Sequence, residues 1–376
     1  MSSIYFHIPF CKQACHYCNF HFSTQFKNKN QLIGSLLKEM ELRKSELKNR
    51  IVESIYFGGG TPSVLKINDI QSLIERVKAN FSLDENCEIT LELNPDDIED
   101  GYLESYKNIG INRLSIGVQS FFNSDLKLIN RAHDSKQAIN VIEKAKKIFK
   151  NFSIDLIYGI PETSLETWAK NIQIALSLSP PHISAYALTI EPKTVLNDWV
   201  NKNKIKLLDE ESILKQFNYM VNCFEKEGYD HYEISNFGKN NFYSKNNSSY
   251  WKGNMYLGIG PSAHSYDGDI RSWNISNNNS YINSIEKNIL PIKREKLSKV
   301  DKHNEYIMTG LRTIWGVSSS KIYNDFGEKY YLLLKTNAKK HLRLRNLFWD
   351  GDTLKASKKA RFLVDGIASD LFLINL

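Results

Sequence analysis

Six short apolar segments alternate with helical segments in the first half of the chain, and this alternation is the feature that most constrains the fold. The apolar segments are rich in β-branched and aromatic residues, whereas the segments between them repeat apolar residues at helical spacing. Apolar strands separated by helices pair in parallel, because the helices then cover the sheet. The predicted strands are residues 3–10, 54–57, 87–93, 113–118, 152–158 and 182–189.

Six strands of this kind indicate an α/β fold, an incomplete (β/α)6 barrel of the TIM type. In such a barrel the chemistry lies at the carboxyl ends of the strands, where the loops converge. The predicted barrel spans residues 1–235, and residues 236–290 form a connecting segment with aromatic and glycine-rich motifs. Residues 291–376 form a smaller, mainly helical domain. Within the connecting segment, the Asn/Ser-rich stretch 274–284 is predicted to be a loop.

Cys11, Cys15 and Cys18 follow the first predicted strand with the spacing C-x3-C-x2-C. Three thiolates on one short loop leave a metal position open, whereas a structural zinc ion normally takes four protein ligands. A cubane iron-sulfur cluster can be held by three cysteines, with one iron free for another ligand. One alternative is reduced thiols without a metal. The other is a zinc site completed by His7, His16 or His21.

Composition indicates a globular protein of the cytoplasm. Hydrophobic residues make up 41% of the 376 residues, and five cysteines, three of them clustered, do not form a disulfide framework. No signal peptide or membrane-spanning segment is recognisable. The formal net charge is +7. The Lys/Arg-rich stretches late in the chain are interpreted as a solvated face, with peripheral membrane association as the alternative. Basic and aromatic residues do not interleave as in a nucleic-acid-binding module.

The run His7-Ile8-Pro9-Phe10-Cys11, together with Tyr17 directly before the last cysteine, resembles the cluster loop of the radical S-adenosylmethionine (SAM) enzymes. Within that superfamily the chain is similar to the branch that contains oxygen-independent coproporphyrinogen III oxidase and the HemW family of haem chaperones. The resemblance covers nearly the whole chain, including a C-terminal domain of winged-helix type. It implies a [4Fe-4S] cluster on the three cysteines, with SAM filling the open iron position.

The resemblance also implies which residues hold SAM. The run Gly58-Gly59-Gly60-Thr61-Pro62 is similar to the motif with which the family holds the methionyl part of SAM, and a tight turn is the alternative interpretation. Arg131 suits a carboxylate, because a guanidinium binds it through two hydrogen bonds, and Asp155 suits a ribose hydroxyl. The complete set implied is Tyr5, Tyr17, Gly59, Gly60, Thr61, Glu92, Gln119, Arg131, Asp155 and Ile259.

Phe20 separates the two activities found in that branch. The oxidase carries a fourth cysteine at this position, and it has an N-terminal extension where this chain has ten residues before Cys11. Phenylalanine cannot replace a thiol in hydrogen bonding or redox chemistry, so we expect no coproporphyrinogen oxidation. The resemblance therefore favours a chaperone that binds the cluster, SAM and haem and delivers haem to respiratory enzymes.

Two other functions are kept as alternatives. One is oxygen-independent coproporphyrinogen III oxidase in porphyrin biosynthesis, and the other is a methyltransferase or ligand-cleaving enzyme that uses the same radical. No catalytic residue is assigned.

The haem site is the part that the sequence specifies least. Residues 246–251 resemble the HNxxYW motif of the chaperone family, with Asn246 in place of the histidine. Asparagine is a poor ligand for haem iron. The haem candidates are therefore Tyr250, Trp251 and His264, with His231 as a further histidine. For each histidine a structural hydrogen-bonding role is the alternative.

Overall fold

The computed structural model describes residues 2–47 and 50–374. Six parallel strands form the centre of its main sheet, in the order in which they occur along the chain. All six strands predicted from the apolar segments are present, and most of their residues are buried. They are β1 (Ser2–Ile8), β2 (Ile51–Gly59), β3 (Ser82–Leu93), β4 (Arg113–Gln119), β5 (Asn151–Tyr158) and β6 (His182–Ala187).

Helices connect these strands, which gives the incomplete (β/α)6 barrel that the sequence predicts. Helix α5 carries a capping box at its first turn, and α6 is capped by the Ser164 side chain. At the start of α2 the Asp69 side chain accepts a hydrogen bond from the Lys66 N–H. Five of the six helices pack apolar residues against the sheet, and these helices and the sheet together form the larger core. The helices are α1 (Lys29–Leu42), α2 (Ile67–Asn80), α3 (Tyr102–Asn108), α4 (Asn123–Leu128), α5 (Ser135–Ile148) and α6 (Leu165–Leu178).

The main sheet continues beyond both edges of the parallel core, to twelve strands among the described residues. At one edge β6 pairs antiparallel with β8, and β8 pairs with β7. At the other edge β1 pairs in parallel with β9, and antiparallel strands β10, β11 and β12 follow. The added strands are β7 (Asp230–Glu233), β8 (Asn236–Gly238), β9 (Met255–Ile259), β10 (His264–Tyr266), β11 (Ile270–Asn274) and β12 (Ile292–Lys296).

Four helices accompany these added strands: α7 (Val195–Asn201), α8 (Glu210–Lys226), α9 (Lys245–Trp251) and α10 (Asn278–Glu286). The loop predicted for residues 274–284 is wrong from residue 278 onward, where α10 begins. Three of its side chains, Tyr281, Ile282 and Ile285, are buried in the main core. Asn277 caps the helix by accepting a hydrogen bond from the Ser280 N–H, so the Asn/Ser-rich composition marks a helix start.

A smaller domain follows with a second hydrophobic core around Ile307, Leu334 and Leu354. Its order of helix, strand, two helices and a β-hairpin confirms the winged-helix-like domain. Its elements are α11 (Lys299–Leu311), β13 (Val317–Ser318), α12 (Ser319–Phe326), α13 (Glu328–Arg343), β14 (Leu347–Asp350), β15 (Thr353–Ala356) and α14 (Val364–Asp370).

The predicted division of the chain at residues 235 and 290 stays a proposal. Strands β8 to β11 of the main sheet come from the predicted connecting segment, so that segment packs with the barrel. Across the described part of the chain, no helix has both the length and the apolar character that a membrane span requires.

Candidate functional site at the carboxyl ends of the strands

A cavity of about 530 Å³ opens at the carboxyl ends of the parallel strands. Its lining combines thiols, carboxylates, amides and two guanidinium groups from segments that are far apart in the sequence. Eleven of the residues proposed for the cluster and SAM lie on it: Cys11, Cys15, Tyr17, Cys18, Gly59, Gly60, Thr61, Glu92, Gln119, Arg131 and Asp155. The topology therefore brings these eleven residues together, because parallel strands end at one edge of a sheet.

Main-chain hydrogen bonds fix the loop that carries the three cysteines. The N–H of Cys11 donates to the carbonyl of Ser23 at 3.1 Å, and the N–H of Ser23 donates to the carbonyl of Pro9 at 2.9 Å. The N–H of His16 donates to the carbonyl of Ile129 at 3.1 Å. The loop is thus fastened at both ends, to its own return segment and to the segment that follows β4.

Two side chains direct polar hydrogens at the thiols. The Thr61 hydroxyl donates to Cys11 Sγ at 3.4 Å, and Arg131 Nη1 donates to Cys15 Sγ at 3.5 Å. Burial raises the pKa of Cys11 to about 11, although the hydrogen bond from Thr61 opposes the shift. Burial also raises the pKa of Cys18. A metal or cluster must therefore displace thiol protons when it binds, because the thiolate is the ligand form.

The arrangement of these thiols fits a cluster better than a single ion. Within residues 2–47 and 50–374, no three His, Cys, Asp or Glu side chains converge as ligands of one metal ion. In a cubane cluster each cysteine binds its own iron, so the three sulfurs need to line a common cavity without meeting at one point.

The three histidines of the zinc alternative are engaged elsewhere. His7 Nε2 lies 2.8 Å from the carbonyl of His21, and His16 Nδ1 lies 2.8 Å from that of Leu128. His21 Nε2 lies 2.7 Å from Asn278 Oδ1. None of the three rings is part of the cavity lining, so the zinc alternative has no support in this geometry.

The glycine run after β2 packs directly on the cysteine loop. The N–H of Thr61 donates to the carbonyl of Phe10 at 2.7 Å. A Cβ at Gly59 would lie 2.7 Å from the His7 ring, and Gly59 has a φ of +109°. The glycines therefore allow β2 to pack closely against the cysteine loop, and they also line the cavity.

Two partly buried carboxylates face the cavity, and neither has a cationic partner at hydrogen-bond distance within residues 2–47 and 50–374. Glu92 Oε1 accepts a hydrogen bond from the Tyr56 hydroxyl at 2.7 Å, and the Ser115 hydroxyl lies 3.0 Å from Asp155 Oδ2. Burial, with a smaller contribution from the Asp155 carboxylate, raises the pKa of Glu92 to about 7, against the hydrogen bond from the Tyr56 hydroxyl. Burial likewise raises the pKa of Asp155, against the hydrogen bond from Ser115. A cationic ligand in this cavity would offset both desolvation costs.

Arg131 and Gln119 lie in the same lining, near the end of β4. Arg131 Nη2 donates to Asn94 Oδ1 at 2.5 Å and to the carbonyl of Gly117 at 2.8 Å, and the buried Nε has no partner in the structure. Gln119 has a φ of +65° at a register shift between β4 and β5. A bulge with this conformation re-aims a side chain at the end of a strand, which is a common device beside binding sites.

Two of the proposed SAM residues are not part of this lining. Tyr5 lies behind Tyr56, with its ring stacked on it at 6.1 Å and its hydroxyl 3.2 Å from His7 Nδ1. Ile259 is fully buried in β9, which pairs with β1. Both residues support the walls of the cavity through neighbouring strands, and any role of theirs in SAM binding stays a proposal.

The glycine-rich segment that contains Ile259 and His264 is held by a buried ion pair. Glu39 Oε2 accepts from the Gly260 N–H at 2.8 Å, and Arg43 Nη1 donates to the carbonyl of Gly258 at 2.8 Å. Arg43 Nη1 and Glu39 Oε1 are 2.9 Å apart, and both side chains are buried. The segment's glycines are thus required at least in part by packing, since a Cβ at Gly258 would meet the His264 carbonyl.

The haem candidates do not lie together. Tyr250 and Trp251 line a second cavity of about 950 Å³, whereas His264 is exposed and stacks on Trp273 with ring centroids 5.9 Å apart. His231 is buried, with Nε2 3.0 Å from the carbonyl of Ile234 and Nδ1 2.6 Å from Arg361 Nη1. These bonds give His231 a structural role.

Sequence reasoning missed several residues of the first cavity. Asn94 donates to the Thr61 hydroxyl at 3.2 Å while accepting from Arg131, so it links the glycine run to the guanidinium. Arg113 is buried, and its Nε lies 3.6 Å from Glu88 Oε2. The sequence signal that could have identified Arg113 is a charged residue at the start of an apolar strand. Other residues of the cavity lining that the sequence did not identify are Tyr56, Ser115, Ser184, Tyr186 and Asn247.

Comparison with known proteins shows what the chain as a whole is similar to. The model of the radical SAM superfamily matches residues 5–175. The protein named heme chaperone HemW of Buchnera aphidicola subsp. Schizaphis graminum is 35% identical over 376 residues, which cover 97% of this chain and 96% of the relative. The protein of the same name from Bacillus subtilis is 34% identical over 334 residues, which cover 88% of this chain and 87% of the relative.

A solved structure shares the architecture over the whole chain. Coproporphyrinogen III oxidase (HemN) from Escherichia coli, a radical SAM enzyme, superposes with a TM-score of 0.86 and 24% identity. The match covers 99% of this chain and 90% of that chain. At this identity the likeness establishes the fold.

Proposed function

Because this chain belongs to the HemW family of haem chaperones in the radical SAM superfamily, we propose that it binds haem and passes it to haem-accepting respiratory enzymes. Membership of the superfamily implies a [4Fe-4S] cluster and SAM, and we assign both to the cavity at the carboxyl ends of the strands. Cys11, Cys15 and Cys18 would hold the cluster.

The charge of the cavity supports SAM as its second ligand. SAM carries an ammonium and a sulfonium, and among the described residues no cation lies within hydrogen-bond distance of the partly buried carboxylates of Glu92 and Asp155. Arg131 lines the same cavity, and its guanidinium suits the carboxylate of SAM. When bound, the cluster supplies the electron that cleaves a carbon-sulfur bond of SAM. The protein's own residues bind and orient the cofactor.

Phe20 is the observation that favours a chaperone over an oxidase. It lies at the cavity lining with 69% of its surface exposed, at the position where the oxidase has a fourth cysteine. A phenyl ring offers neither a proton nor a redox-active sulfur to a porphyrinogen in this cavity. We therefore propose that the chain does not oxidise coproporphyrinogen III.

Cellular location and partners complete the proposal. We place the protein in the cytoplasm, where the reducing environment keeps cluster thiols free. Peripheral contact with a membrane would bring it to respiratory acceptors, and the net charge of +7 is compatible with an anionic lipid surface.

Anaerobic reconstitution tests this function in one preparation. We expect iron and sulfide contents that match one cluster, an electron paramagnetic resonance spectrum that changes when SAM is added, and saturable haem binding. Haem transfer to a haem-depleted respiratory enzyme is then followed by recovery of the acceptor's activity. The same sample is given coproporphyrinogen III and a reductant, and 5′-deoxyadenosine is measured.

Each result has a defined meaning. Conversion of coproporphyrinogen III to protoporphyrinogen IX would make the chain an oxidase. Absence of haem binding by fully reconstituted protein would reject the chaperone function. Haem binding and transfer without porphyrinogen turnover would support it.

A further inference from the structure

The carboxylate of Asp155 is one end of a buried hydrogen-bonded chain that crosses strands β5, β6 and β7. The Ser153 hydroxyl lies 3.4 Å from Asp155 Oδ1 and 2.8 Å from His182 Nδ1. His182 Nε2 lies 2.8 Å from the hydroxyl of Tyr232, which accepts a hydrogen bond from the Ser244 N–H at 3.2 Å. The four residues behind Asp155 are fully buried, whereas Asp155 lines the cavity at the carboxyl ends of the strands.

The far end of the chain determines where each hydrogen lies. The Tyr232 oxygen accepts from the Ser244 N–H, and the acceptor that the structure provides for the phenol hydrogen is His182 Nε2. Burial, followed by the charge of Arg113, lowers the pKa of His182 well below its usual value, so the imidazole is neutral. A neutral imidazole whose Nε2 accepts carries its hydrogen on Nδ1 and donates it to Ser153. The Ser153 hydrogen is therefore left to point away from the imidazole.

Two acceptors lie within reach of the Ser153 hydrogen, and both lead to the same carboxylate. One is Asp155 Oδ1, and the other is the Ser184 hydroxyl at 3.2 Å. Hydrogen bonds from Ser115, Ser184 and Ser153 all oppose the rise in the pKa of Asp155 that burial causes. The carboxylate is thus held by hydroxyls from three neighbouring strands, and His182 sets the direction of one of them.

The end of the chain at the cavity gives it a functional reason. Burial of polar groups costs desolvation free energy that apolar side chains of similar size avoid. Asp155 is a proposed ligand of SAM, and hydrogen bonds from residues behind a ligand-binding group restrict its orientation. Donors aimed at a carboxylate also favour its ionised form, in which both oxygens accept hydrogen bonds.

We propose that His182 is a positioning residue for the cofactor, which acts through Ser153 to hold the Asp155 carboxylate in the orientation that receives a ribose hydroxyl of SAM. Tyr232 contributes by fixing the imidazole tautomer. His182 itself does not touch the ligand, because it lies behind Asp155 and outside the cavity lining. This inference rests on the proposed binding of SAM in this cavity and adds to it the residues that orient Asp155.

Discrimination between SAM and two deoxy analogues tests the proposal. One analogue lacks the 2′ hydroxyl and the other the 3′ hydroxyl, and each is titrated into the reconstituted protein. Wild type should bind SAM about tenfold or more tightly than the analogue that lacks the hydroxyl held by Asp155. His182→Phe removes the donor to Ser153, so this preference should fall below about threefold. His303→Phe, at a fully buried histidine of α11, is the matched control and should keep the preference.

Two further variants separate positioning from packing. His182→Asn keeps an N–H donor on the nitrogen bonded to Cγ, as Nδ1 is, and should restore most of the preference. Ser153→Ala removes one buried hydroxyl and should lose the preference, which keeps the proposal testable if His182→Phe does not fold. A purely structural role would lower the thermal midpoint and leave the preference unchanged.

The outcomes distinguish this role from SAM binding itself. Full preference in Ser153→Ala, or in folded His182→Phe that holds a complete cluster, would reject the positioning role. Equal losses in His182→Asn and His182→Phe would reject it as well. Equal affinity of wild type for SAM and both analogues would also reject it, because Asp155 would then hold no ribose hydroxyl. Wild type with a complete cluster and no affinity for SAM would instead reject the proposed assignment of SAM to this cavity.

Discussion

The backbone N–H of Gly60 donates a hydrogen bond to the carbonyl of Ile8 at 2.9 Å, so the end of β2 lies flat against the loop that leaves β1. A Cβ at Gly60 would come within 2.7 Å of the Phe10 carbonyl oxygen and 2.9 Å of the Ile8 carbonyl oxygen. Both atoms belong to the backbone directly before Cys11, and backbone cannot give way as a flexible side chain can.

A methyl group at this position should therefore displace the cysteine loop. We expect Gly60→Ala to lower the free energy of unfolding by about 1–3 kcal/mol and to lower the iron content after reconstitution. Gly34→Ala is the matched control, because nothing lies within 4 Å of a Cβ there and Gly34 is in the middle of α1. It should stabilise the protein by about 0.5–1 kcal/mol. Full iron content in Gly60→Ala would contradict the packing argument.

Each of the three loop cysteines is expected to be necessary for the cluster. Cys11→Ala, Cys15→Ala and Cys18→Ala should each lose most of the bound iron, together with the change that SAM causes in the paramagnetic resonance spectrum. Cys223→Ala, on the distant helix α8, should retain both. A complete, SAM-responsive cluster in Cys18→Ala would remove that residue from the ligand set.

Glu92 should make the stability of the ligand-free protein depend on pH. Burial raises its pKa to about 7 from an ordinary value of 4.5, so between these values the folded state holds more protons than the unfolded state. The contribution of Glu92 to stability is then complete below about pH 4.5 and is lost as pH rises through about 7. Glutamine stays neutral, so Glu92→Gln should be more stable than wild type by up to about 2 kcal/mol at pH 8.

Thermal unfolding at pH 5 and pH 8 measures this difference. The gap between Glu92→Gln and wild type should be larger at pH 8. The variant should also bind SAM more weakly, because it lacks the charge that complements the ammonium or sulfonium. A gap that is independent of pH would show that the carboxyl group is not desolvated in the folded protein.

The buried pair of Glu39 and Arg43 should be costly to break. Glu39 accepts hydrogen bonds from Tyr281, Asn274 and the Gly260 backbone, and its loss leaves the buried Arg43 with Glu46, which is partly exposed, as its remaining carboxylate partner. We expect Glu39→Gln to lower the free energy of unfolding by about 1–3 kcal/mol, measured by urea denaturation. Glu41→Gln, on the same helix but in an exposed pair with Lys44, should change it far less. Equal midpoints for the two variants would contradict this assignment.

Local patterns were sufficient for the barrel and for most of the cavity. The apolar segments predicted all six parallel strands, and the polar residues at their ends, such as Glu92, Gln119 and Asp155, meet on one cavity because parallel strands share an edge. Helix α10 was missed, since only Tyr281, Ile282 and Ile285 mark its buried face among Asn and Ser residues.

Local sequence patterns could not predict contacts between distant parts of the chain. No periodicity reveals that β9 pairs with β1, or that Tyr250 and Lys299 face one cavity, because these contacts depend on how two domains pack. The positions of Tyr5 and Ile259 outside the lining follow from the same packing. The residue type determines which chemistry a side chain can perform, whereas the tertiary fold determines which groups surround that side chain.

The parallel pairing of β1 with β9 has a consequence for the order of synthesis. Strand β1 and the cysteines lie about 250 residues before Met255–Ile259 in the chain, so they leave the ribosome well before their partner strand β9 is made. Until then β1 has β2 on one side and an open edge on the other. The thiols thus lie beside an incomplete sheet until β9 has been made, and only then can their final surroundings form.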